Sequence, residues 1–254
     1  MRQKRFSIIM AGGKGTRLNA TDKPKAMFAV VGRPIIDYAL DPLLELRSQN
    51  LLDKIIIIVG FLGEQIVQHV GEEKAKFVWQ KRQLGTGHAV MQARSALKNL
   101  QGTTLIINGD HALYRAKTFE KIMDFREDKN LTIAFGVVNS STLFDDYGRV
   151  IRDRTGKITG VIEKLDCTLE QREITERNIN LYSVDNIWLW QALDKIKSDN
   201  VKGEYYLTDI IKIAIEEGKM VETFEVGDTE EAIGINTVEE FKEVEKILSR
   251  KKLA

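Results

Sequence analysis

Phe6-Ser7-Ile8-Ile9-Met10 runs without interruption into Ala11-Gly12-Gly13-Lys14-Gly15-Thr16-Arg17-Leu18. An apolar, β-branched run that ends in glycines and cations reads as a buried strand opening into a loop. Glycine has no Cβ, so such a loop can wrap closely around a ligand and offer it backbone N–H groups. Lys14 and Arg17, with Lys25 in Asp22-Lys23-Pro24-Lys25, add positive charge, and the combination suits a polyphosphate. Two better-known phosphate loops do not fit. The dinucleotide fingerprint needs a glycine where Leu18 stands, and the Walker spacing Gly-x-x-x-x-Gly-Lys-Ser/Thr is absent. A plain strand-to-helix turn accounts for the glycines but not for the clustered cations.

Outward from this loop, short apolar runs recur at residues 7–10, 55–59, 104–107, 131–138, 221–226 and 232–235. Amphipathic stretches at 35–49, 64–70, 88–95 and 118–126 separate the early ones. Continuous apolar strands alternating with helices predict an α/β fold, a mainly parallel sheet covered on both faces. Pro42 falls inside the first helix and is expected to kink or split it. Residues 150–164 read as a β-hairpin around Arg154-Thr155-Gly156, an antiparallel addition to the sheet. Thr237-Val238-Glu239-Glu240 is a capping box, and Phe241, Val244, Ile247 and Leu248 follow at helical spacing, so a helix closes the chain.

Length and composition set outer limits. The 254 residues are 43% hydrophobic and 30% charged with a net charge of +1, so no overall electrostatic case exists for a nucleic-acid or membrane partner. Cys167 is the single cysteine, which fits a reducing compartment. The longest apolar run, 55–59, is strand-sized, and Met1-Arg2-Gln3-Lys4-Arg5 is followed by too short an apolar stretch for a signal peptide. A cytoplasmic protein is expected. Repeats, low-complexity segments and linkers are absent, which predicts a single domain over residues 1–254.

In a doubly wound sheet, ligands gather at the C-terminal ends of the strands. Asp110, in Asn108-Gly109-Asp110, and Asn236, in Gly234-Ile235-Asn236, both fall at such ends. A carboxylate and an amide oxygen, with phosphate oxygens and waters, can complete an Mg²⁺ shell. Both residue types also cap turns and helices, and from spacing alone the two readings weigh equally. Gln80, at the head of Gln80-Lys81-Arg82-Gln83-Leu84-Gly85-Thr86-Gly87-His88-Ala89, carries a donor and an acceptor that can read the imide edge of uracil. His69 and His111 lack the neighbours of a zinc site.

These residues carry a resemblance. The chain resembles the N-terminal pyrophosphorylase domain of bacterial N-acetylglucosamine-1-phosphate uridyltransferases, the GlmU-type sugar nucleotidyltransferases. The match runs through 11–18, Pro24-Lys25, Gln80, 83–89, Gly109-Asp110, Tyr147-Gly148-Arg149, Glu163, Asn178, 203–209 and Gly234-Ile235-Asn236. Gln83-Leu84-Gly85-Thr86-Gly87-His88-Ala89 and Gly203-Glu204-Tyr205-Tyr206-Leu207-Thr208-Asp209 are its most particular segments. The resemblance implies a Rossmann-like nucleotidyltransferase fold. It also implies transfer of a uridylyl group from UTP to N-acetylglucosamine 1-phosphate, with Mg²⁺ as cofactor and release of pyrophosphate. By position, Ala11, Gly12, Gly13, Gln80, Gly85 and Thr86 would bind the nucleotide, while Arg17, Lys25 and Asp110 would carry the chemistry. Asp110 and Asn236 would hold the metal. Gly148, Glu163, Asn178, Tyr205 and Thr208 would hold the sugar.

The chain departs from the family pattern at Asn108, where a Tyr is usual, and at Asn178-Ile179-Asn180, where Asn-Thr-Gly is usual. Ala11-Gly12-Gly13 replaces Ala-Ala-Gly, as in thymidylyl- and guanylyltransferases. The uridine side is therefore better supported than the sugar side. The larger members add a left-handed β-helix that transfers acetyl groups, and no such domain is expected within these 254 residues. Two alternatives follow: a uridylyl- or thymidylyltransferase for another hexose 1-phosphate, or a non-catalytic nucleotide-sugar sensor. A glycosyltransferase fits less well, because Asn108-Gly109-Asp110 lacks the Asp-x-Asp metal motif.

Overall fold

The computed structural model describes residues 2–15, 18, 22–140 and 144–253. Its strands are β1 (Arg5–Ala11), β2 (Ala29–Val30), β3 (Arg33–Pro34), β4 (Lys54–Val59), β5 (Lys76–Trp79), β6 (Thr103–Asn108), β7 (Ile133–Asn139), β8 (Gly148–Arg152), β9 (Ile158–Ile162), β10 (Glu176–Asp185) and β11 (Val221–Glu225). Nine of them form one sheet along the path β11-β7-β10-β6-β1-β4-β5, with the β8–β9 hairpin attached to β10. On that path only β10 runs against its neighbours; β1 pairs in parallel with both β4 and β6. The α/β sheet, mixed but mainly parallel, and its hairpin are therefore as expected.

Two-residue periodicity decides which side chain enters which layer. Ile9, Ala11, Ile57 and Ile107 face the helices Ile35–Ser48, Gly63–Val70 and Ala116–Asp128. Ile8, Ile56, Ile58 and Ile106 face Thr86–Met91, Asn186–Leu193 and Asp209–Glu216 on the other side. A fully buried isoleucine contributes roughly 1.5–3 kcal/mol, so runs that are apolar at every position are pulled into strands covered on both faces. The final helix, Val238–Leu253, opens on the expected capping box: Glu240 N–H donates to Thr237 Oγ1 (3.2 Å) and Glu240 Oε2 accepts from Thr237 N–H (2.9 Å).

Three expectations are corrected. Pro42 does not split its helix, which spans Ile35–Ser48, because buried Ile36, Leu40, Leu43 and Leu46 hold it to the sheet against the loss of one backbone hydrogen bond. Residues 232–235 are not a strand. A 3-10 turn ends at Ala232, and only Gly234 bridges to His111. The Tyr147 hydroxyl takes the place of a neighbouring strand there, donating to Ala232 O and accepting from Gly234 N–H, both at 2.9 Å. The segment 88–95 breaks into two short helices, Thr86–Met91 and Arg94–Leu97.

One topological feature makes room for a site. β7 pairs with β10 on both sides of an irregularity, at residues 176–178 and 182–184, whereas the other edge of β10 pairs with β6 at residues 182–185 and with β8 at 177–178. A β-bulge separates the two stretches. The sheet therefore splits beyond the C-terminal end of β6, beside the loop that follows β1.

Candidate active site

Parallel pairing brings the ends of β1 and β6 side by side, with Met10 opposite Asn108 and Gly109 N–H bonded to Met10 O at 2.9 Å. The glycine loop and Gly109-Asp110 thus leave the sheet together. Between them and the segment 80–89 lies a cavity of about 320 Å³. Its walls include Ala11, Gly12, Gly13, Lys25, Gln80, Gly85, Thr86, Asp110 and Asn236, every nucleotide and metal candidate that lies within the described residues. Arg17 lies outside the described residues.

Gln80 follows β5 and is nearly sealed. Its Nε2 donates to Gly85 O and to His88 Nδ1, both at 3.1 Å. Burial lowers the pKa of His88, with Arg82 adding to the effect, so the imidazole is neutral and able to accept that bond. Among the described residues no donor reaches Gln80 Oε1. That oxygen lies against Gly12, where a Cβ would stand 2.8 Å away from it. Gly85 has φ +108°, and a Cβ there would stand 2.5 Å from Tyr205 O. Gly85 is required by its backbone conformation as well as by close approach, whereas Gly12 gives the Gln80 oxygen room.

The charged centre joins three distant segments. Lys25, at the start of a 3-10 turn, pairs through its ammonium with Asp110 Oδ2 and donates to Asn236 Oδ1 at 3.0 Å. Burial pushes the Asp110 carboxyl up, but the Lys25 charge and hydrogen bond together with His111 hold the group below the usual carboxylate range. Asp110 Oδ1 is buried without a hydrogen-bond partner among the described residues, 3.6 Å from His111 Nε2. Burial keeps His111 below its ordinary pKa despite the pull of that carboxylate. Two hard oxygen donors converging on one cation, one of them with an unsatisfied buried oxygen, fit a divalent ion of the Mg²⁺ type. Among the described residues no cluster of three or more His, Cys, Asp and Glu could hold a metal alone, so a bound ion would draw its remaining ligands from substrate and water.

A second cavity of about 200 Å³ adjoins the first and shares Thr86, Asn108, Glu204 and Asn236 with it. Of the sugar candidates only Glu163 lines it. Gly148 is buried in β8, where a Cβ would meet Val161 at 2.9 Å. Thr208 is buried and donates to Glu163 Oε1 at 3.0 Å. Tyr205 clamps the neighbouring loop through its backbone, accepting from Gly87 N–H and donating to Leu84 O, both at 2.8 Å. Asn178 is wholly buried and donates to Tyr182 Oη at 2.8 Å. These four therefore support the wall rather than form it. Glu204 and Tyr206, on either side of Tyr205 in an extended loop, line the cavity instead, as do His111, Asp146, Tyr147, Asn180 and Lys202. The motif 203–209 signalled Glu204 and Tyr206, and the departure from the family pattern signalled Asn180. Nothing in the sequence singled out Asp146 or Lys202.

The sequence profile of the nucleotidyl transferase family matches residues 6–231. The bifunctional protein GlmU of Enterococcus faecalis is 37% identical over 249 residues, which are 98% of this chain and 53% of that protein. The bifunctional protein GlmU of Limosilactobacillus reuteri is 38% identical over 235 residues, 92% of this chain and 50% of that protein. The chain spans about half the length of the curated relatives it matches. A solved UDP-glucose pyrophosphorylase in complex with UDP-glucose superposes with a TM-score of 0.77 over 98% of this chain and 99% of its own, at 17% identity, and so shares the fold. No helix among the described residues is long and apolar enough to cross a membrane.

Proposed function

We propose that this chain, which belongs to the nucleotidyl transferase family, transfers a uridylyl group from UTP to a hexose 1-phosphate, N-acetylglucosamine 1-phosphate first among them. The observation that carries the reading is one cavity wall on which Lys25, Asp110 and Asn236 converge next to the open acceptor of Gln80. With its amide N–H groups occupied by Gly85 and His88, Gln80 offers only Oε1, which accepts from the N3–H of uracil or thymine. Cytosine presents a bare N3 and is refused. The GlmU relatives support N-acetylglucosamine 1-phosphate as the acceptor.

In the proposed reaction an oxygen of the sugar 1-phosphate attacks the α-phosphorus of UTP. A P–O bond forms, and the bond to pyrophosphate breaks with its electron pair leaving on the pyrophosphate oxygen. A phosphomonoester already carries roughly −1.5 to −2 charge near neutral pH, so no side chain has to deprotonate it. The protein aligns two anions and offsets their repulsion. Gln80 orients the base, the 11–13 backbone lines the nucleotide cavity, Lys25 neutralises phosphate charge, and Glu163 accepts from sugar hydroxyls. Asp110 and Asn236 would hold Mg²⁺, which when bound supplies the charge that draws the phosphates together.

Pyrophosphate release from UTP, dTTP, CTP, GTP and ATP against a panel of hexose 1-phosphates with Mg²⁺ tests the reading. Turnover confined to UTP and N-acetylglucosamine 1-phosphate is expected, and nucleotide-sugar binding without turnover in either direction would refute it. Asn108 and Asn180 on the second cavity favour one other outcome, a uridylyl- or thymidylyltransferase for a different hexose 1-phosphate. Gln80→Ala should reduce selectivity for UTP over CTP by about tenfold, the worth of one hydrogen bond, with a smaller effect on triphosphate binding. Unchanged selectivity would remove the base-reading role.

Thr208→Val probes the sugar side through pH. Burial raises the Glu163 carboxyl, and the Thr208 hydroxyl pulls it back by donating to the ionised form. Without that donor the pKa rises further, so the acid limb of kcat/KM should move to higher pH. KM for the sugar 1-phosphate should rise about tenfold while KM for UTP holds. A pH profile that stays in place would detach Glu163 from the acceptor.

A further inference from the structure

Asn180 lies inside the β10 bulge with φ +57°, a left-handed conformation that asparagine tolerates better than most residues. Strand alternation would set Asn178 and Asn180 on one face as equals. The bulge instead buries Asn178 and leaves Asn180 half-exposed on the second cavity. The two side chains and Tyr182 form a closed triangle. Asn178 Nδ2 donates to Tyr182 Oη at 2.8 Å and to Asn180 Oδ1 at 3.2 Å, and Tyr182 Oη donates to Asn180 Oδ1 at 3.0 Å.

That triangle settles the orientation of the Asn180 amide. Asn178 Oδ1 accepts from the Asn180 backbone N–H at 3.4 Å, which turns Asn178 Nδ2 toward the Asn180 side chain, so the atom facing that donor is the oxygen; the reversed amide would set N–H against N–H there. Oδ1 is thereby saturated with two donors. Among the described residues Asn180 Nδ2 donates to nothing, and its residue shares the cavity wall with Glu163. The wall thus pairs a pre-oriented donor with an acceptor, which is what recognition of hexose oxygens needs.

We propose that Asn180, through its Nδ2, is a specificity-determining residue for the acceptor, donating to one oxygen of the hexose 1-phosphate, while Asn178 is its positioning residue. The inference rests on the reading of this site as a sugar-1-phosphate uridylyltransferase. It assigns to Asn180 the contact that the resemblance assigned to Asn178.

Two variants test it without endangering the fold. Asn180→Gly deletes the donor and accepts positive φ without strain, and Asn180→Asp keeps the shape and the two accepted bonds but turns an oxygen toward the sugar. In both, KM for N-acetylglucosamine 1-phosphate, or for whichever hexose 1-phosphate the wild type uses, should rise about tenfold or more with KM for UTP unchanged. Calorimetric binding of the nucleotide-sugar product should weaken in parallel. Among monodeoxy analogues of the sugar, one should be about tenfold poorer than the parent for the wild type and equal to it for Asn180→Gly. Sugar KM within twofold of wild type in Asn180→Gly overturns the inference, as does an equal loss for UTP, the mark of a merely structural role. A wild type that turns over no hexose 1-phosphate overturns the underlying reading as well, whereas a turning-over wild type with an indifferent Asn180→Gly overturns this inference alone.

Discussion

Asp110→Asn should lower pyrophosphate release by about 10³-fold or more, the scale of several kcal/mol of transition-state charge stabilisation. The substitution preserves shape and removes charge at a carboxylate that pairs with Lys25 and, among the described residues, carries a buried, unsatisfied oxygen. Three functions fail together: metal retention, placement of the Lys25 ammonium and the local negative charge that makes a divalent cation welcome. The fold should persist, because the Ile9, Ile57 and Ile107 layer beneath the site does not involve Asp110. Turnover, Mn²⁺ binding and thermal unfolding measured on one preparation separate these effects. Mg²⁺-dependent turnover within tenfold of wild type would remove Asp110 from the site. A collapsed melting temperature would show that the carboxylate holds the fold and not the reaction.

Gly85→Ala should be nearly as damaging by a different route. The backbone there is at φ +108°, ψ 174°, a region open in practice only to glycine, and the new methyl would lie 2.5 Å from Tyr205 O and 2.8 Å from Tyr205 N. Such strain costs roughly 1–3 kcal/mol where the surroundings cannot yield, and here they are backbone atoms already hydrogen-bonded to Leu84 and Gly87. Relief requires the 84–87 and 204–206 segments to part. That movement takes the Gly85 carbonyl away from Gln80 Nε2 and frees the Gln80 amide to turn. KM for UTP should therefore rise about 100-fold, together with lost discrimination against CTP, as two coupled hydrogen-bond groups fail. Nucleotide binding by calorimetry and unfolding by denaturant check the two consequences. Wild-type affinity for UTP in a destabilised Gly85→Ala protein would uncouple Gly85 from the nucleotide.

Much of the lining of the first cavity was legible before any tertiary structure, because its signals are local. A glycine loop behind a buried strand, a carboxylate just past β6 and a glutamine beside a second glycine pair each follow from what one segment can do by itself. The lining of the second cavity was not legible to the same degree. Tyr205 and Thr208 belong to a diagnostic segment, yet neither lines the cavity, while Glu204 and Tyr206 of the same segment do. Asn178 is buried and does not line it, for a sharper reason. A bulge there sets residues 179–181 opposite Gly136 alone, and no apolar pattern marks where the two extra residues enter. The run at 232–235 misled in the opposite sense, since its apolar residues are buried but its backbone bonds are taken by Tyr147.

Layering of the sheet came from the sequence alone: which residues of β1, β4 and β6 enter which face is set by alternation and burial, quantities that depend on neighbours a few positions away. Only the tertiary structure brought Lys25 to Asn236, 211 positions apart, turned the Gln80 oxygen to the cavity and left one amide N–H of Asn180 unclaimed. Hydrogen-bond allocation is the physical reason. A side chain presents to a ligand whichever donor or acceptor the fold has not already used, and that remainder is known only once distant segments have met.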